Sequence, residues 1–234
     1  MVKEAFKGFE KPSVAIDTVI LRTKDTNKGC RQLQVLLVRK NDEVEWHLPG
    51  TILRLGETSK DAIKRIGDGK VDISKVAFEQ LYSVVDDPER DDRGHVISIV
   101  YIGMVNDSTI DDIQKNDEYD AQWFWITRKN REENNCRKFI NQETMQAVPF
   151  LKYDHHKIID DTIERLKGKL MYAYVGFDFI GDRFAIRDLE NTFEAINEEP
   201  IPGFRRLISS KIEGTGEFEK GTYYRPAEIY VRKK

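Results

Sequence analysis

Two stretches of this chain carry residue types and spacings suited to phosphate chemistry. The first is Trp46-His47-Leu48-Pro49-Gly50, followed by Leu55-Gly56-Glu57 and then by Arg65, eight positions after Glu57. Glycine lets the backbone approach a bound group closely, a carboxylate binds a hard cation, and a guanidinium matches a pair of anionic oxygens. Holding Mg²⁺ against a diphosphate needs carboxylate oxygens and leaves several waters on the ion as potential nucleophiles. Beyond Arg65, however, the chain reads Gly69-Lys70, a hydrogen and an ammonium. Glu57 alone does not assemble a working metal site.

The second stretch is Asp87-Pro88-Glu89-Arg90-Asp91-Asp92-Arg93-Gly94-His95, densely charged for a short connection between two apolar runs. Such runs are most often solvated hairpin loops. The remaining chemistry lies at the C-terminal end. The whole chain of 234 residues has a formal net charge of −3, yet residues 201–234 hold eight Lys and Arg against four Asp and Glu. A locally positive end on an acidic protein is what contact with a DNA duplex requires, because Lys and Arg displace counterions condensed on phosphate.

The elements that must position these residues fall into two groups. In the first half, Val14–Leu21, Leu33–Val38, Phe78–Val85, Val96–Ile102 and Gln122–Ile126 are apolar, β-branched and aromatic runs that read as strands. One helix is expected from Thr58 to about Ile66, capped by Thr58 or Ser59, because Gly67 and Gly69 each cost about 1 kcal/mol relative to Ala. A further helix is expected near Gln142–Ala147. In the second half the period changes. Tyr153–Met171 places Ile158, Ile159, Ile163, Leu166 and Leu170 at helical spacing behind Asp154 as N-cap; Ile186–Ile196 and Ile201–Ile212 follow as second and third helices. Glu213–Val231, with its glycines and terminal aromatics, reads as a hairpin. Two helices across a short turn and then a hairpin describe a winged helix-turn-helix. Its third helix offers Arg205, Arg206, Ser209 and Lys211 to a major groove, with Lys220 and Arg225 on the wing at the backbone.

The first motif resembles the opening of a Nudix box. Anchoring that pattern on Glu57 and Arg65 puts Thr51 at its first glycine, Ile66 at the glutamate after the arginine, and Gly69-Lys70 at the glutamate pair that holds Mg²⁺ in the hydrolases. Pro88-x-Arg90-Asp91-x-Arg93-Gly94 resembles the corresponding stretch of Nudix-related transcriptional regulators of the NrtR type and of their close hydrolase relatives. So do Asp154-His155, Arg165-Leu166, Phe204-Arg205-Arg206 and Arg225-Pro226-Ala227-x-x-Tyr230 in order and spacing. One departure is Gly203, where that family usually has Asn before Phe-Arg-Arg.

The resemblance implies an α/β protein: a Nudix α/β/α sandwich with a mixed sheet over residues 1–150, followed by a small α+β winged helix-turn-helix over 151–234. It implies a dimeric repressor of NAD-cofactor or sugar-metabolism genes, with double-stranded operator DNA and a phosphorylated small molecule as partners. ADP-ribose or a similar nucleotide diphosphate is the expected effector, with no cofactor required and no catalytic or metal-binding residue. The ligand's phosphates are expected near Arg39, Arg65, Arg90, Arg93 and the Gly50-Thr51 backbone, with its base stacked on Trp46. Glu57 is expected at the same site, or as an ion-pair partner of Arg65.

Two other readings compete. A working ADP-ribose pyrophosphatase would need Mg²⁺ on a displaced site built from Glu57, Glu79 and Asp92. A protein-interaction module would use the winged helix without DNA. No run approaches the length of a membrane span and the N-terminus has no apolar signal core, so a cytoplasmic protein is expected. Cys30 and Cys136 lie in no partner motif and read as reduced thiols.

Overall fold

The computed structural model describes residues 8, 10–26, 29–69, 76–106, 117–129, 136–148, 150–219 and 226–233, with 77–82 described by backbone alone. Its first part is a mixed sheet in the order β4-β5-β1-β2-β6-β7-β8. These strands are β1 (Ser13–Asp25), β2 (Arg31–Lys40), β3 (Gly50–Ile52), β4 (Ala77–Val85), β5 (Val96–Val105), β6 (Tyr119–Ile126), β7 (Phe139–Asn141) and β8 (Ala147–Val148). β1 runs parallel to β5 and antiparallel to β2, and β3 pairs with the start of β1.

The central strands are mostly apolar because both faces are covered, with Asp17, Thr18, Arg22, Thr23 and Gln34 as buried polar exceptions. Ile16, Ile20, Leu36 and Val38 pack on one face against Ala62, Ile63 and Ile66 of helix α1 (Ser59–Gly69). Val19, Leu21, Val35 and Leu37 point to the opposite face, as the two-residue period of a strand requires. There they join Ile158, Ile159 and Ile163 of helix α2 (His155–Ala173) and Leu189 and Phe193 of helix α3 (Ile186–Asn197) in one continuous core.

Helix α1 departs from expectation by running through Gly67 to Gly69 instead of ending near Ile66. The glycine penalty, about 1 kcal/mol each, is a local preference that does not by itself end a helix already packed through Ala62, Ile63 and Ile66. The helix start is a reciprocal cap: the Thr58 backbone N–H donates to Asp61 Oδ2 at 3.0 Å, and the Asp61 N–H donates to Thr58 Oγ1 at 3.3 Å. The helix expected near Gln142–Ala147 is instead the turn between β7 and β8. The Asn141 carboxamide oxygen accepts from the Glu143 and Thr144 N–H groups, and this side-chain alternative displaces a helical turn.

After α2, a 3-10 helix (Val175–Phe179) leads to β9 (Arg183–Ala185), α3, a short helix α4 (Phe204–Ile208) and the hairpin β10 (Ile212–Phe218) and β11 (Glu228–Arg232). β11 pairs with both β10 and β9, so the wing is a three-stranded sheet; the expected hairpin gains β9, a strand the sequence reading did not mark. The third helix is shorter than Ile201–Ile212. Gly203 has φ 73° and Ile212 begins β10, so only five residues are helical.

Candidate functional site

A cleft of about 690 Å³ opens over β3, α1 and the loop between β4 and β5. Among its lining residues are Gly50, Thr51, Arg65, Arg90 and Arg93, which the sequence reading expected there. Pro49 is pinned to β1, its carbonyl accepting from the Thr18 N–H at 2.9 Å and the Thr18 hydroxyl at 2.7 Å. Gly50 then lies against Asp17: a Cβ there would stand 2.1 Å from Asp17 Oδ1. Only glycine fits that approach.

Arg65, Arg90 and Arg93 are held in one geometry, Nε and Nη2 against one carboxylate, and they differ in what is left over. Arg65 meets Glu57 at 2.8 Å through both atoms, gives Nη1 to Thr51 Oγ1 at 2.5 Å, and also reaches the Ile52 carbonyl. Four of its five N–H donors are committed to the protein. The bond to Arg65 holds the Glu57 carboxyl down to about 2. Arg90 is buried, its side chain 3% exposed, and forms a bidentate pair with Asp154 at 3.0 and 2.6 Å. Arg93 pairs with Asp91 at 2.9 and 2.7 Å, yet its side chain is 56% exposed, and its guanidinium lies 4.4 Å from the Tyr153 ring centre. The Asp91 carboxyl is held below its ordinary value, chiefly by that bond to Arg93.

Below these groups lies a buried cluster. Asp17 accepts from the Ser98 hydroxyl, stands 3.9 Å from Arg90 Nη2, and is the same distance from Nε2 of His155. The Leu48 N–H donates to Nδ1 of His155 at 2.9 Å, which makes that nitrogen the unprotonated one and puts the ring proton on Nε2, toward Asp17. Lys40, Arg54 and Lys152 add positive charge to the lining, and Lys152 is bound to Glu43 at 2.9 Å.

Three expectations fail at this site. Trp46 does not offer a face to a ligand base: it is buried against Phe124, with ring centres 4.9 Å apart, and Arg39 lies over it at 4.6 Å. An indole next to a glycine turn reads equally as a stacking platform or as core, and here the apolar face between β2 and α2 claims it. Arg39 itself pairs with Asp120 at 3.3 Å, away from the cleft lining. Asp154, expected as an N-cap, occupies the N-cap position without a side-chain cap bond, because its carboxylate is committed to Arg90. A bidentate fork between two opposite charges holds the carboxylate more firmly than a cap bond from an uncharged backbone N–H. Glu57 lies beside the cleft and binds Arg65, the second of its two expected roles.

The cleft-facing residues of α1 decide how a metal would fare. Ile66 and Gly69 line the cleft at signature positions of the box and bring no side-chain oxygen. Lys70 lies outside the described residues, and the side chain of Glu79 likewise. Among the described residues no group of three His, Cys, Asp or Glu is arranged to hold a metal ion.

At the opposite end, Arg205 and Arg206 are exposed on α4, and Phe204 and Ile208 are buried beneath them. Ser209 and Lys211 are exposed but lie past the helix; the Ser209 hydroxyl donates to the Arg206 carbonyl, and the Lys211 ammonium stands 5.1 Å from the Tyr174 ring centre. Lys220 and Arg225 fall outside the described residues. The left-handed φ of Gly203 accounts for its exchange with Asn, since these are the two residues that adopt that backbone most readily. Sequence reasoning missed Tyr153 and Lys152 as cleft residues, and a left-handed Tyr153 leaves no compositional mark.

A mixed sheet carrying an arginine-lined cleft, joined through one core to a winged helix, defines a two-part protein of Nudix fold with an appended DNA-binding module. Residues 176–231 match the model of the NrtR DNA-binding winged helix domain. The chain is 24% identical over 232 residues to the ADPR responsive transcriptional repressor NtrR of Acinetobacter baylyi, covering 95% of this chain and 82% of that protein. It is 34% identical over 160 residues to an ADP-ribose pyrophosphatase of Methanocaldococcus jannaschii, covering 67% and 76%. The crystal structure of Shewanella oneidensis NrtR superimposes with a TM-score of 0.65 at 24% identity, covering 94% of each chain. The chain has the Nudix fold, its residues 176–231 belong to the NrtR DNA-binding winged helix domain family, and over nearly its whole length it is similar to regulators of the NrtR type.

Proposed function

We infer that this protein is a ligand-responsive transcriptional repressor in which residues 1–150 sense ADP-ribose or a related nucleotide diphosphate and residues 151–234 bind operator DNA, two copies acting together. The observation that carries the sensing role is the cleft face of α1, where Ile66 and Gly69 stand in place of metal-binding glutamates while the arginines around them remain. A diphosphate is then bound by Arg93, the flanking lysines and the Gly50-Thr51 backbone, and it is not cleaved. The A. baylyi relative, whose name describes an ADPR-responsive repressor, supports both the ligand class and the direction of control.

Regulation requires that ligand and DNA favour different arrangements of the two DNA-binding modules in a dimer, because a ligand shifts an equilibrium only by its differential affinity. Arg205 and Arg206 then read or release half-sites about one helical turn apart. The mobility of DNA from upstream of the protein's own gene, measured with and without ADP-ribose, tests this reading. Retention that ADP-ribose releases supports it; absence of retention under both conditions overturns it.

The second reading, a pyrophosphatase, draws support from the M. jannaschii relative. It requires carboxylates that α1 does not present to the cleft. Accumulation of AMP and ribose 5-phosphate with Mg²⁺, lost in Glu57→Gln, would establish it.

A further inference from the structure

Residues 152–155 belong to both halves of the molecule: they end the connection from β8 and open α2, and Lys152, Tyr153 and His155 line the cleft. Tyr153 has φ 60°, a left-handed backbone that is unfavourable for a bulky residue and persists only where its neighbours impose it. The neighbours are identifiable. On one side the Lys152 N–H donates to the Trp46 carbonyl at 2.9 Å; on the other, Asp154 is locked onto buried Arg90. The strained backbone puts the Tyr153 ring 4.4 Å from the Arg93 guanidinium carbon, 5.6 Å from the Lys152 ammonium and 5.4 Å from the His155 ring.

Donor accounting shows what this patch offers. Arg93 gives Nε and Nη2 to Asp91, which leaves the two N–H bonds of Nη1 directed to no described residue. Lys152 has three donors, of which one bonds Glu43. An exposed guanidinium and an ammonium thus flank one aromatic ring at the mouth of a cleft from which Trp46 is excluded.

We propose that Lys152 and Tyr153 are ligand-contacting residues, so that a phosphorylated nucleotide bridges Arg93, on the β4–β5 loop, to the leader of α2. Phosphate oxygens take Arg93 Nη1 and Lys152 Nζ, and the Tyr153 ring packs against the organic part of the ligand. Ligand binding is thereby made by the same residues that set where the first helix of the winged-helix half begins. The proposal rests on the sensing role inferred above.

The test is calorimetric titration of the full-length chain with ADP-ribose, alongside operator binding measured without ligand. Lys152→Met and Tyr153→Asn, the latter chosen because Asn accepts a left-handed backbone, should each weaken ADP-ribose binding about tenfold. Tyr153→Phe should stay within about twofold of wild type, since it keeps the ring. Operator affinity in the absence of ligand should be unchanged in all three. Wild-type ADP-ribose affinity in both Lys152→Met and Tyr153→Asn overturns the proposal and leaves the sensing role intact. Failure of the wild-type chain itself to bind ADP-ribose overturns the sensing role, and this proposal with it. If Tyr153→Asn does not fold, Lys152→Met decides the matter alone.

Discussion

In the cleft, Arg65, Arg90 and Arg93 each lay Nε and Nη2 against a single carboxylate, whereas on α4 Arg205 and Arg206 stand exposed and form no ion pair with a described residue. The same side chain serves two purposes. A guanidinium fixed by a carboxylate presents its remaining donors at one place and in one direction, which suits recognition of a small ligand of defined shape. A solvated guanidinium adapts to a phosphate backbone and gains from counterion release, which is strong but weakly specific.

The comparison is broken most severely by unpairing an arginine of the cleft. Asp154→Ala leaves the buried Arg90 guanidinium without its fork, and the expected loss is about 3–5 kcal/mol of unfolding free energy in denaturant titration. Arg205→Ala or Arg206→Ala should change the same free energy by less than about 0.5 kcal/mol, the usual range for exposed positions. A large destabilisation from either would erase the distinction.

Operator binding reverses the order. The double variant Arg205→Ala with Arg206→Ala should lower operator affinity by at least about tenfold, and should reduce the slope of log affinity against log salt by about two per half-site, roughly one for each phosphate contact removed. Fluorescence anisotropy over a salt series measures both. Arg93→Ala should leave that slope as it is and weaken ADP-ribose binding about tenfold.

The smallest effect concerns pH. The Glu57 carboxyl is held down to about 2, first by its bond to Arg65 and then by the Arg54 N–H. A depressed folded value stabilises the native state above the unfolded value near 4.5, and that contribution disappears as pH falls through about 2. The stability difference between wild type and Glu57→Gln should therefore be constant from neutral pH down to about 5 and shrink below it. A difference that grows on acidification would contradict the pairing.

The legible parts of this fold share a cause. β1 and β2 announced themselves because both faces of the central strands are buried, and α2 and α3 because one face of each meets a sheet. Boundaries were less legible where long-range burial competes with local propensity. Helix α1 continues through Gly67 to Gly69 against the local glycine preference, and Ile212 leaves the third helix to start β10. At the site, the Arg65–Glu57 pair was readable from a spacing that puts both on one side of a helix start. The partner of Arg90 is Asp154, sixty-four positions away, and no local pattern connects them. Trp46 failed for a related reason: residue type told that an aromatic stood near the turn, and only the packing of Phe124 and Arg39 told which way it faced.

The central claim is that this cleft reads a diphosphate without cutting it. Its most direct test is to incubate the full-length protein with operator DNA, Mg²⁺ and ADP-ribose, and to follow operator affinity and ligand integrity in the same sample. The account predicts that ADP-ribose lowers operator affinity by about tenfold, a coupling within the usual range for allosteric pairs, and is recovered intact. Steady release of AMP and ribose 5-phosphate, with operator affinity unmoved by the ligand, would contradict it.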